Sequence, residues 1–163
     1  MKKIKENYVF IIVSISLISV IIVAILQLIT KELFIGIIGS IATLYFGYLK
    51  YKIENDKVFI ELFKTFNERY NSKINDLINE LRRKERDILT TDEEVLIIDY
   101  FNLCSEEYMW KTKNRIPERV WEAWKAGMLE NLEIPLIKEL FENEVKSKNG
   151  RLSYYGLAEE LGF

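Results

Sequence analysis

The sequence predicts an all-α membrane protein: an N-terminal transmembrane helical hairpin over residues 1–51, a long helical stalk over 52–89 and a small cytoplasmic helical bundle over 90–163. Three observations carry this. Two apolar runs without an ionisable residue, Tyr8 to Ile29 and Leu33 to Leu49, fill the first third. From Lys50 to Leu89 a helical apolar seam runs without Pro or Gly. Beyond it, helix-start signals follow one another and no alternating strand pattern appears. The averages, 49% apolar residues and a mean hydropathy of −0.02, hide this partition and would suit an ordinary soluble domain.

The first run has 22 residues, which at a rise of about 1.5 Å each matches a hydrocarbon layer of roughly 30 Å. The second has 17 and spans comfortably once Lys50 and Tyr51 sit at the interface. The link Thr30-Lys31-Glu32 is too short for anything but an antiparallel hairpin. A cleaved signal peptide is the alternative for an apolar stretch behind Lys2, Lys3 and Lys5, but this run is too long, lacks a small-x-small site and leads into more apolar sequence. Lysines flank both outer ends, including Lys50, Lys52 and Lys57, so the positive-inside rule expects an inner-membrane protein of two spans with both termini cytoplasmic. Tyr8, Phe10, Tyr45, Tyr48 and Tyr51 would then form one aromatic belt. Gly36, Ser40, Thr43 and Gly47 share a face of the second span, either against the first span or against a second copy. The lack of charge inside either span argues against a proton relay, ion-coupled transport or a charged selectivity ring.

In the stalk, Phe59, Phe63, Phe66, Tyr70, Ile74, Leu77, Leu81 and Ile88 recur at an 11-residue period, which favours a nearly straight helix continuing from the second span. So narrow a seam needs a partner, either the chain's own C-terminal helices or the same helix in another subunit. Self-association through Phe59 to Leu81 is the preferred reading, in keeping with the small-residue face. Arg82, Arg83, Lys84 and Arg86 close the stalk, about 45 Å from the membrane if the helix is straight. They read as an anion site for a nucleotide or RNA phosphates, or as a solvated face complementing the helix C-terminus.

In the last segment, Thr91-Asp92-Glu93-Glu94 is read as a capping box opening a helix to about Lys113, apolar around most of its circumference and so central to a bundle. Pro117 and Pro135 begin two more helices, Lys148-Asn149-Gly150 is a turn, and Leu152 to Leu161 forms a last helix. Trp110, Trp121 and Trp124 could stack on a base beside Lys111, Lys113 and Arg115, though the spacing of Trp121 and Trp124 favours core packing. Asp99, Asn102, Glu106 and Glu107 could suggest carboxylate chemistry, but a solvated or salt-bridged face is preferred.

Composition narrows function. The chain has no His and a single Cys104, so Ser-His and Cys-His pairs, His-ligated metals, multi-cysteine zinc sites and intrachain disulfides are excluded. Neither enzyme activity, nor a metal, nor a cofactor is expected. Four of the 23 basic and two of the 25 acidic residues precede Lys50, leaving the remainder near −4, which gives no drive towards DNA.

The segment Tyr100-Phe101-Asn102-Leu103-Cys104-Ser105-Glu106-Glu107-Tyr108, with Arg115-Ile116-Pro117 and Val120-Trp121-x-x-Trp124-x-x-Gly127-Met128, resembles a helical module of many small bacterial proteins, often placed behind membrane helices. That family brings no catalytic residues. Two short spans before a compact cytoplasmic domain are also similar in layout to membrane effectors of antiphage systems. This likeness implies a homo-oligomeric effector or sensor that receives a defence-system protein or nucleotide second messenger and alters membrane integrity. A passive anchor that recruits a partner protein is the alternative.

Overall fold

The computed structural model describes residues 8–71, 73–84 and 86–163, so the Lys2, Lys3 and Lys5 flank lies outside the described residues. All regular structure among them is helical. The chain divides into two compact units, Met1–Asp56 and Lys57–Phe163, and the division falls inside a helix.

In the first unit, α1 covers Tyr8–Ile25 and α2 begins at Lys31, continuing to Tyr70. Both are long and apolar enough to cross a membrane. The turn lies earlier than expected, at residues 26–30, and Lys31 and Glu32 belong to the first turn of α2. Gln27 takes the left-handed conformation (φ 57°), its N–H donates to the Ala24 carbonyl and that of Leu28 to Val23, which closes α1 in the manner usually given to glycine. Thr30 then receives the Leu33 N–H on its side chain and opens α2.

Along α2, the less exposed positions Phe34, Ile38, Ile41, Tyr45 and Tyr48 follow helical spacing. Gly36, Ser40, Thr43 and Gly47 are exposed and lie two positions away, on the opposite side at about 100° per residue. Nothing lies within 4 Å of where a Cβ would sit on Gly36, Gly39 or Gly47. Packing of this face against the first span, one of the two expected uses, is thus not what the structure has. Ser40 and Thr43 donate to the Gly36 and Gly39 carbonyls, so their hydroxyls are satisfied within the helix.

The second unit contains the end of α2 and six further helices: α3 (Lys73–Arg83), α4 (Thr91–Thr112), α5 (Glu118–Asn131), α6 (Pro135–Glu144), α7 (Lys148–Ser153) and α8 (Leu157–Leu161). As expected, α4 is central, touching α3, α5, α6 and α8. Ile97, Phe101 and Leu103 on α4 meet Ile78, Trp121, Ile137, Phe141 and Leu157, all buried to 2% exposure or less. Phe141 at the middle takes Phe101, Tyr154 and Phe163 against its ring.

Three expectations about these elements need correction. The stalk is not one helix, because α2 ends at Tyr70, Asn71 forms a turn and α3 restarts at Lys73. Asn is a weak helix former, and the break lets Ile74, Leu77, Ile78 and Leu81 reach the core. The capping box is one residue earlier: Thr90 accepts from the Glu93 N–H, and the Glu93 carboxylate accepts from the Thr90 N–H. The last helix is two, since Lys148–Ser153 includes the supposed turn, and Tyr155 (φ 55°) with Gly156 (φ 87°) separates it from α8.

The seam proposed for self-association is also redirected. Phe66, Ile74, Leu77 and Leu81 are 3–7% exposed in the chain's own core, and Phe59 and Tyr70 pack against it. Phe63 stacks on Trp124 at 5.8 Å between ring centroids. Of the two partners the seam allowed, the C-terminal helices take it.

Candidate functional site

Within the second unit, four helices enclose a cleft of about 310 Å³, the size of a small-ligand site. The end of α2 supplies Phe66, Asn67 and Tyr70, and α3 supplies Arg82. From α4 come Tyr100, Leu103, Cys104 and Glu107, and α5 gives Trp124, Gly127, Met128, Glu130 and Asn131 among others. The spacing of Tyr100, Cys104 and Glu107 is that of the apolar stripe beginning at Ile97, so Glu107 is carried inward with it. Asn131 follows Trp121, Trp124 and Met128 inward on α5 in the same way.

A polar chain fixes one wall. The Arg82 guanidinium donates to Asn131 Oδ1 at 2.6 Å, and Asn131 Nδ2 donates to the Tyr100 hydroxyl at 2.9 Å. Asn131 and Tyr100 are each 4% exposed, so these bonds satisfy groups that would be expensive to bury alone. Burial pushes the Tyr100 phenol and the Cys104 thiol well up, which keeps both neutral.

Glu107 differs. It is 8% exposed, yet its carboxyl has no hydrogen bond or ion pair among the described residues. Burial raises it to about 8, the nearby Arg69 charge offsetting only part of the effect and Glu106 adding to it. Arg69 gives its fork to Glu106 instead, at 2.6 and 3.1 Å. Glu106 therefore takes the salt-bridged place expected of it, but Glu107 leaves the solvated face that its residue type predicts.

The basic residues are not gathered into an anion site. Arg86 grips Glu93 with two 2.7 Å bonds that, with the Thr90 N–H, hold the carboxylate down at about 2. Lys84 pairs with Glu80, and Lys111 with Glu118. Arg83, Lys113 and Arg115 have no carboxylate partner among the described residues, although Lys113 sits 4.9 Å over the Trp110 ring. Arg86, through Glu93, belongs to the first turn of α4, whereas Lys111 belongs to its last, about 27 Å away by helical rise. Of the seven, only Arg82 lines the cleft. Trp121 is core as preferred, its Nε1 donating to Glu160, which also holds Lys125. Trp124 is half-buried and faces the cleft.

Carboxyl, amide, phenol and guanidinium groups thus stand among aromatic faces around the cleft. Among the described residues no cluster of three or more acidic or thiol side chains could hold a metal. The chain matches no protein-family profile, no curated protein and no solved structure.

Proposed function

We propose that this chain is a membrane-anchored sensor without enzymatic turnover. Its helical module takes up a small signal molecule in the Glu107 cleft and passes occupancy to the membrane segment through α2. One observation carries the reading. The helix whose first half is an apolar span also supplies Phe66, Asn67 and Tyr70 to the cleft, without a break between them. A ligand with different affinity for two positions of this wall would therefore shift the helix that carries the span.

In this reading the hairpins lie in a bacterial inner membrane with both ends cytoplasmic, and they associate through the uncovered Gly36, Ser40, Thr43 and Gly47 face. Rearrangement of the associated hairpins then perturbs the bilayer, as in the antiphage effectors whose layout the chain resembles. Full-length protein reconstituted in liposomes is expected to leak an entrapped dye in response to the signal. Protein that forms no oligomer in nanodiscs and never raises leakage would overturn the proposal. The internal use of the Phe59 to Leu81 seam favours the rival, a monomeric anchor whose helical module recruits another protein. A single monomer mass in nanodiscs, with leakage absent, supports that rival.

A further inference from the structure

From the chemistry of the cleft we infer that its ligand is a small organic cation, a primary or secondary ammonium ion carrying an apolar or aromatic body. The inference rests on the reading of the cleft as the module's ligand site and adds the charge and class of what enters.

The first observation is a pair of carboxyl groups, one of them waiting for a positive partner. Glu107 is buried and lines the cleft without a hydrogen bond or ion pair among the described residues, and the exposed Glu130 lines it from α5. Burial in the cleft disfavours the ionised form of Glu107 until a cation is brought to it. The donors nearby are committed elsewhere, Arg69 to Glu106, and Arg82 to Asn131. The second observation is the wall. Phe66, Tyr70, Tyr100 and Trp124 line the space around the carboxyl, and aromatic faces attract a desolvated ammonium by about 0.5–2 kcal/mol each. An anionic ligand would instead meet the Glu130 carboxylate and hold the Glu107 carboxyl protonated, with one engaged guanidinium to offset it.

The titration of Glu107 gives this a signature. Facing it are Arg69 and Tyr70 from α2, Arg82 from α3, Glu130 from α5, and Tyr100, Cys104 and Glu106 on its own helix. The helices α6, α7 and α8 contribute nothing to the cleft. Empty, the carboxyl is held near 8 and is mostly protonated at neutral pH. An ammonium ion stabilises the carboxylate, so binding releases that proton and tightens as pH rises towards 8.

Isothermal titration of full-length protein in nanodiscs, near pH 7 in two buffers of different ionisation enthalpy, tests this with three near-isosteric probes: phenethylamine, 2-phenylethanol and phenylacetate. Phenethylamine is expected to bind most tightly and to release about one proton. Glu107→Gln is expected to weaken it roughly tenfold or more and to remove the proton release. Gly127→Leu, at a cleft-lining position where a Cβ meets no atom within 4 Å, adds bulk from α5 and should abolish binding. Phenethylamine binding no better than 2-phenylethanol, or unaffected by Glu107→Gln, overturns the inference. Tighter phenylacetate binding that Gly127→Leu abolishes overturns the cation but leaves the sensor cleft standing. If Gly127→Leu changes neither probe binding nor the leakage response to the cell's own signal, the cleft reading falls as well.

Discussion

Glu107 is the residue at which local and global preferences disagree. Its helix position places it with the core, and its chemistry places it in water. The consequence is a pH dependence of definite sign. In the unfolded chain the carboxyl ionises near 4.5, whereas in the folded module it stays protonated up to about 8. Between those values the unfolded state has lost the proton that the folded state keeps, so stability falls as pH rises. The melting temperature of the wild type is expected to drop between about pH 5 and 8. Up to a few kcal/mol of stability is involved, since a tenfold difference in proton affinity between the two states is worth about 1.4 kcal/mol. Glu107→Gln should flatten that slope, measured by thermal scans across the range. Glu93 runs the other way. Its carboxylate is held down at about 2 by Arg86 and the Thr90 N–H, so its contribution is present above about 4.5 and is lost as pH falls towards 2. Thr90→Ala is expected to cost about 1 kcal/mol in urea unfolding, and Thr91→Ala appreciably less, because the former caps the helix.

At the scale of elements, much of the fold was legible. The apolar runs, the centrality of α4 and the Pro135 start of α6 all follow from residue type and spacing. What escaped was whatever depends on a choice between equally regular patterns. The run from Phe59 to Leu81 fits one unbroken helix as well as two, and only the room beside α4 decides for a break after Tyr70. Two consecutive threonines gave two possible caps, and Arg86 reaching Glu93 selects the first. For the cleft, periodicity places Glu107 and Asn131 on buried stripes, while their polar chemistry points to water and hides the site from a reading by residue type. No local signal joins residues from α2, α3, α4 and α5 into one cavity. The reassigned seam can be tested directly. Leu77→Ala should lower stability by about 2–4 kcal/mol, because it opens a cavity in the core. That loss should not vary with protein concentration, as an interface between subunits would require.

For the whole molecule, the two units set separable experiments. The exposed small-residue face lies in the first, and the core and cleft lie in the second. Gly36→Leu with Gly47→Leu is expected to reduce the oligomer mass seen by mass photometry in nanodiscs, by keeping helix backbones apart. The melting transition of the second unit should stay where it was. An unchanged mass would remove this face as a contact and favour the anchor reading. A cleft variant such as Gly127→Leu should do the converse, leaving the mass alone while altering the response to ligand.

Cys104 gives the molecule its own reporter. It is the chain's one cysteine, 4% exposed, and it lines the cleft. Burial holds its thiol protonated and therefore slow to react, so maleimide attachment should speed up whenever the four helices part. The rate of that attachment measures how often the module breathes, in the intact protein and without any introduced label. A molecule seated in the cleft should slow the clock, so one native sulfur can be used to screen for the ligand before its identity is known.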